Sequence, residues 1–198
     1  MPFTERSEST RTAIVSTARR LFADRGYQGT TIRAVAAEAG IDPSMVMRYY
    51  GNKEGLFAAA VDIDLGLPSA ADLPRDRIGE AIAGHVLRRW EGELADELII
   101  LLLRSACTNE TAAEQLRQVF QRQVLPLVRE ISGDAPDADR RAALLGTQVI
   151  GLAMCRYVLR LPSMVAMDRP TLVASLAPVL RHYLLGDLDR DLDGAPRP

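Results

Sequence analysis

The chain has 198 residues, 47% of them apolar and 25% charged, which suits a globular protein able to bury a sizeable core in one large domain or two small ones. The net charge of −2 argues on its own against a nucleic-acid binder, yet residues 1–53 hold eight basic and five acidic side chains (8 − 5 = +3) against 16 and 21 in the remainder (16 − 21 = −5). That is a basic head on an acidic body. No apolar run is longer than six residues, as at Leu98–Leu103, and the opening MPFTERSE is polar, so neither a membrane span nor a secretion signal is expected and the protein is placed in the cytoplasm.

Helix formers dominate, aromatics are 5%, and no run of alternating β-branched residues occurs, so the fold class read here is all-α. Residues 1–9 are polar and read as a mobile tail, with Arg6 and Arg11 as an alternative arm on DNA backbone. A first helix over Thr10 to Arg25 places Ile14, Ala18, Leu21 and Phe22 on one face and closes at Gly26. Next comes TTIRAVAAEAGIDPSMVMRYYGNK, Thr30 to Lys53. Ile32, Val35 and Ala36 share one helical face, and Gly40 stands where a helix ends in a left-handed residue. Asp42 caps a second short helix with Pro43 at its first position. Val46 and Tyr50 face inward there, which leaves Ser44, Met45, Met47, Arg48 and Tyr49 pointing elsewhere. Asn52 caps a fourth helix that should run to about Asp64. Two short helices joined by a tight Gly turn, the second presenting Ser, Arg and Tyr outward, describe a helix-turn-helix reader of the major groove.

The loop from Gly66 to Pro74 holds two prolines and cannot be one helix. Body helices are expected near Arg75–Trp90, Leu94–Ser105, Thr111–Ile131, Asp137–Arg160 and Pro170–Leu185, with breaks at Gly92, Thr108–Asn109, Gly133–Pro136 and Leu161–Pro162. Pro126 and Pro178 should bend the helices that contain them. RAALLGTQVIGLAMCRYVLRL is apolar on more than one face, and the last helix carries a wide stripe of Leu172, Val173, Leu176, Val179, Leu180, Tyr183 and Leu184. Such faces favour packing against a second subunit. The acidic end is expected to be disordered. Cys107 and Cys155 read as two buried thiols.

Residues LFADRGYQGTTIRAVAAEAG, the turn and second helix that follow, and YYGNKEGLFAAAV together resemble the DNA-binding region of TetR-type transcriptional regulators, over about fifty residues in ordered pattern. RSACTNETAA and GLAMCRYVLRLP are similar to the regulatory domain of one subgroup. The resemblance implies a head over 1–51, a ligand-binding and dimerisation body over 52–186 and a tail over 187–198. It further implies a homodimer in which the last two helices of each chain pair with their mates. A small-molecule effector bound in the body would release a repressor from a pseudo-palindromic operator on double-stranded DNA. The fourth helix, with no Gly/Ser linker, would carry that coupling. No cofactor is implied.

Among the candidate DNA contacts, Arg48 has the fork that matches O6 and N7 of guanine, a pairing that discriminates by about 1–3 kcal/mol. The alternative for Arg48 is a phosphate. Ser44 opens the recognition helix where a small residue lets backbone approach base edges, and Met45 and Met47 suit a thymine methyl. At Met47 the family usually has Tyr or His, which points to a different operator preference. Tyr49 and Lys53 match positions that contact phosphate in the family, and Thr31 caps the preceding helix and is a further phosphate candidate. Tyr50 matches an inward core aromatic. An apolar effector would be lined by Leu87, Trp90, Leu103, Cys107, Phe120 and Met154, with His85 and Arg156 as polar residues able to orient it; ordinary core is the competing reading of each apolar position. A helical enzyme is the rival class, but His85 and His182 stand alone and no HExxH, CxxC or phosphate-cradling Gly loop occurs, so no metal or catalytic site is assigned.

Overall fold

The computed structural model of the chain describes residues 3–91 and 96–189, the side chains of 3–6, 96 and 97 excepted. The break expected at Gly92 and most of the expected acidic tail lie outside those residues. The helices are α1 (Phe3–Gly29), α2 (Ile32–Ala39), α3 (Pro43–Tyr50), α4 (Lys53–Ala60), α5 (Ile78–Trp90), α6 (Asp96–Ala106), α7 (Glu110–Val119), α8 (Leu125–Ser132), α9 (Ala138–Ala153), α10 (Pro162–Ala166) and α11 (Arg169–Leu185), and no strand occurs among the described residues. The protein is all-α. It divides into two compact units, Met1–Ile63 with Glu97–Arg117, and Asp64–Asp96 with Gln118–Pro198.

The first unit is built on the stripe of α1. Ile14, Ala18, Leu21 and Phe22 are fully buried together with Val35, Ala36, Val46, Leu56 and Phe57. Phe57 packs edge-on to both Phe22 (5.0 Å) and Tyr27 (4.9 Å), a geometry that sets ring edges against ring faces. α1 starts earlier than expected: residues 3–9, read as a mobile tail, are helical, and Gly26 (φ 70°, ψ 176°) breaks the helix before a last turn ending at Gly29. Thr30, fully buried, directs its hydroxyl to the carbonyls of Leu21 (2.9 Å) and Gly26 (3.0 Å), so a buried polar atom at this bend is satisfied.

α4 is shorter than expected. It stops at Ala60 rather than running to Asp64, because Arg19 of α1 donates to the carbonyls of Ala60 (2.9 Å) and Asp62 (3.3 Å) and so satisfies acceptors that a further turn would have used. The Asp64 carboxylate then accepts from the Gly66 amide (2.8 Å), and residues 62–69 leave helical geometry. Coupling through one continuous fourth helix therefore has no structural basis.

In the second unit α5 lies against α11, and Ile78, Ile82, Ala83, Leu125, Val128, Ile131, Ala142, Leu145, Leu180 and Leu184 form one core. The helix expected over 111–131 is three segments, since a π-helical turn, Phe120–Val124, separates α7 from α8. Pro126 lacks the amide that an α-helix would aim at residue 122, and its ring would collide with that carbonyl; a widened turn just before it absorbs both faults. The helix expected over 137–160 likewise ends in a π turn, Met154–Val158, and the short α10 was not foreseen. In the single chain Leu159 is 60% exposed and Ile150 is exposed as well. Of the α11 stripe, Leu172, Leu180 and Leu184 are buried, whereas Val173, Leu176, Val179 and Tyr183 are half-buried.

A polar cluster closes one end of this unit. Glu91 accepts from Arg156 (3.0 Å), Arg169 (3.0 Å) and the Tyr157 hydroxyl (3.3 Å), while Arg156 also donates to the carbonyls of Met164 and Met167. Trp90 packs edge-on against Tyr157 at 5.7 Å. Burial, and then the Glu91 carboxylate, push the Tyr157 phenol up to about 12. Burial works to raise Glu91, but the hydrogen bonds from Arg169 and Arg156 outweigh it and hold the carboxyl below its ordinary value of 4.5. A lowered native pKa stabilises the fold above that ordinary value, and the contribution is lost as pH falls through the lowered one. Glu91→Gln keeps the shape and removes the charge. It should cost roughly 2 kcal/mol at pH 7, as expected for hydrogen bonds to a charged group, and should flatten the loss of stability on acidification in urea titrations run from pH 7 to 3.

Candidate nucleic-acid interface

α2 and α3 are defined by their ends. The Thr31 hydroxyl accepts from the Ala34 amide (3.1 Å), and Gly40 closes α2 in the left-handed region (φ 67°), its amide meeting the Ala36 and Ala37 carbonyls. Asp42 then caps α3, accepting from the Ser44 amide (2.8 Å) and hydroxyl (2.5 Å), bonds that hold its carboxyl below the ordinary range. Asn52 caps α4 through the Gly55 amide (2.7 Å). Every local signal on which the helix-turn-helix reading rested is present in the geometry.

On α3 only Val46 is fully buried. Ser44, Met47 and Arg48 are exposed, Met47 by 46%, and Met45 is half-buried. The Ser44 hydroxyl is turned to Asp42, which leaves its small size rather than its hydrogen bonding to offer a partner. Among the described residues no carboxylate pairs with Arg11, Arg33 or Arg48, whereas Arg20 and Arg25 both meet Glu38. The positive charge of this face is therefore concentrated at arginines without an internal counter-ion.

The tyrosines of α3 face α1. Tyr50 is half-buried rather than fully enclosed, and its hydroxyl donates to the Arg11 carbonyl (3.3 Å). Burial, ahead of the neighbouring charges, raises its pKa. Tyr49 shares a hydrogen bond with Ser7 (3.2 Å), and the guanidiniums of Arg11 and Arg48 lie over its ring at 5.5 and 5.4 Å. The Ser7 bond, then Arg48 and Arg11, lower the Tyr49 phenol. Lys53, at the first position of α4, sits 4.4 Å from the Tyr27 ring centroid and reaches the Gln28 carbonyl (3.4 Å), while the Tyr27 hydroxyl donates to Glu54 (3.0 Å). Sequence reasoning missed Ser7 and Tyr27 as neighbours of these groups; their partners lie far along the chain, and no local pattern links them.

The residues proposed for an effector are divided between the two units. Leu103 and Cys107 belong to the first unit, and Leu87, Trp90, Phe120 and Met154 to the second. Cys107 is exposed and Cys155 half-buried, so the reading of two buried thiols is corrected: Cys107 follows the last turn of α6 and turns its Sγ back to the Leu103 carbonyl (3.9 Å). Leu87 is fully buried, and Phe120 and Met154 are half-buried. Arg156 is committed to Glu91 and to backbone carbonyls, and His85 Nε2 donates to the Leu65 carbonyl (3.2 Å), so both polar candidates hold structure together. The second unit has a shallow apolar depression lined by Ala83, Val86, Gln148, Val149, Leu152, Leu176 and Leu180, which includes none of the six. Among the described residues no group of three potential metal ligands occurs, and no helix is long and apolar enough to cross a membrane.

Comparison with known proteins agrees with this geometry. Residues 14–60 match the family described as bacterial regulatory proteins, tetR family, and residues 76–184 match the tetracyclin repressor-like C-terminal domain. The HTH-type transcriptional repressor Rv3405c of Mycobacterium tuberculosis is 34% identical over 82 residues, 39% of this chain and 43% of that one. The chain spans less than half the length of the curated relatives it matches. Among solved structures, the TetR-family regulator SCO0857 of Streptomyces coelicolor is 28% identical, with a TM-score of 0.59 over 93% of this chain and 97% of that one. The multidrug binding protein EbrR, complexed with proflavin, shares the fold at 18% identity, with a TM-score of 0.60 over 86% of this chain and 99% of that one. With its head and most of its body each matched, the chain belongs to the TetR family of bacterial regulatory proteins.

Proposed function

We infer that the chain is a homodimeric repressor that reads a pseudo-palindromic operator with α3 and is released by a small apolar effector. The observation that carries this reading is the outer face of α3, where Ser44, Met47 and Arg48 are exposed around a single buried Val46 and Arg48 has no carboxylate partner among the described residues. Arg48 reads a base, Met45 and Met47 take up thymine methyl groups, and Thr31, Tyr49 and Lys53 face phosphates. The functional division proposed is a head over 1–51 and a regulatory and dimerisation body over 52–186. Half-buried Val173, Leu176 and Val179 on α11 and Val149 on α9 support self-association through those two helices. A two-fold pair would set its recognition helices roughly 34–36 Å apart, one turn of DNA. The effector is proposed to engage the second unit at Leu87, Trp90, Phe120 and Met154. The EbrR complex supports an effector of the multidrug type. A cytoplasmic location follows from the same reading.

The test is selection of bound fragments from genomic DNA, then anisotropy titrations of the selected duplex and a random duplex over a range of salt. Arg48→Ala should lower the preference for the selected duplex by about 1–3 kcal/mol. Lys53→Ala should weaken both duplexes alike and reduce the salt slope by about one unit. Equal weakening of both duplexes by Arg48→Ala would show that Arg48 meets phosphate instead. A wild-type protein with no salt-sensitive affinity for any duplex, or sedimenting as a single chain, would overturn the reading itself.

A further inference from the structure

We propose that Tyr49 acts on DNA as a platform rather than a contact: its ring gathers Arg11 of α1 and Arg48 of α3 onto one cationic edge, Ser7 locks its phenol, and Arg11 supplies a phosphate contact from outside the helix-turn-helix. This rests on the DNA-binding reading above, replaces the phosphate contact of Tyr49 in it by one from Arg11, and adds Ser7 and Arg11 of α1.

Two guanidiniums repel one another, so something must hold them at one place. Both lie over the same Tyr49 ring, at 5.5 and 5.4 Å, where the negative face of the π-system attracts each. The ring cannot swing away freely, since its hydroxyl is hydrogen-bonded to Ser7 at 3.2 Å. Arg11 is fixed from its backbone as well, its carbonyl accepting from the Tyr50 hydroxyl at 3.3 Å. Side chain and main chain of Arg11 are thus tied to successive residues of the recognition helix. Arg11 is exposed and, among the described residues, pairs with no carboxylate, so its remaining N–H groups are open to an acceptor. The acceptor such a fork fits, beside a helix that enters the major groove, is a backbone phosphate. The Tyr49 ring is already engaged by both guanidiniums, which leaves the N–H groups of Arg11 to meet a phosphate.

The test compares Tyr49→Phe, Tyr49→Leu, Arg11→Ala and Ser7→Ala in the full chain, by anisotropy on the selected and the random duplex across salt, with thermal melts alongside. Tyr49→Phe should lose no more than Ser7→Ala does and should keep the wild-type salt slope, because the ring survives and only the Ser7 bond is lost. Tyr49→Leu should lower the preference for the selected duplex about threefold, the scale of an exposed cation–π contact, although no base touches Tyr49. Arg11→Ala should weaken both duplexes by the same factor and reduce the salt slope by about 0.9, one phosphate. Ser7→Ala should act in the same direction as Tyr49→Leu but more weakly. A Tyr49→Phe variant as impaired as Tyr49→Leu would make the phenol the contact and overturn the platform. An unchanged salt slope in Arg11→Ala would overturn the α1 contact. Failure of the underlying reading shows separately, as a wild-type chain that binds no duplex.

Discussion

Gly79→Ala should lower the unfolding free energy by about 3 kcal/mol, the upper part of the range for overpacking a core. A Cβ built at Gly79 would lie 2.8 Å from the carbonyl carbon of Ala177 and 3.0 Å from its Cα, and closer still to the carbonyl oxygen. These are backbone atoms of α11, so no side-chain rotation relieves the overlap. α11 would have to withdraw from α5, opening the packing around Ile78, Ile82, Leu180 and Leu184. Gly84→Ala in the same helix is the control. There the nearest atom is Arg88 Nη1 at 3.1 Å, the end of a flexible side chain, and the better helix propensity of Ala should recover up to about 1 kcal/mol. Urea denaturation at a fixed protein concentration separates the two, with midpoints moving in opposite directions. A Gly79→Ala protein as stable as the parent would mean that the helices do not meet backbone to backbone.

Gly55→Ala should cost about 2–3 kcal/mol and reduce affinity for the selected duplex at least tenfold, combining overpacking with a weakened helix cap. A Cβ here would collide with the Tyr50 carbonyl, whose carbon lies 3.3 Å away, and would press on the Asn52 Oδ1 at the same distance. Asn52 Oδ1 is the acceptor that caps α4 through the Gly55 amide, and the Tyr50 carbonyl receives the Asn52 amide at 2.8 Å. Relief would therefore displace the end of the recognition helix, to which Tyr49 and Arg48 are attached. The change is read by binding and by near-ultraviolet dichroism of the tyrosines. Unchanged binding with an unchanged melt would show that the α3–α4 turn has slack its backbone distances do not suggest.

Much of the interface was legible because its signals are local. The caps at Thr31, Asp42 and Asn52 and the left-handed Gly40 each depend on residues within one turn, so a string of letters carries them. The stripe of Ile14, Ala18, Leu21 and Phe22 was legible for the same reason, as was the inward Val46. The amino-terminal tail was not: the polar residues before Thr10 show no apolar stripe, and what places that stretch of α1 against α3 is the Ser7–Tyr49 bond across 42 positions. The end of α4 was misjudged because Arg19, on another helix, takes its last carbonyls. In the second unit Pro126 announced a disturbance, yet that it would take the form of a π turn rather than a simple kink depended on the packing around it.

By itself the sequence determined an all-helical chain, a short capped helix-turn-helix with Arg48 on its outer side, and a basic segment ahead of an acidic one, since periodicity, capping and charge are properties of neighbours along the chain. Only the tertiary structure decided that Arg156 and His85 are structural, that Cys107 is exposed, that Arg11 and Arg48 share the Tyr49 ring, and that Gly79 lies under the backbone of Ala177. Those facts arise where separate helices approach within a few ångströms, and the distance between two side chains in space is not encoded in their separation along the chain.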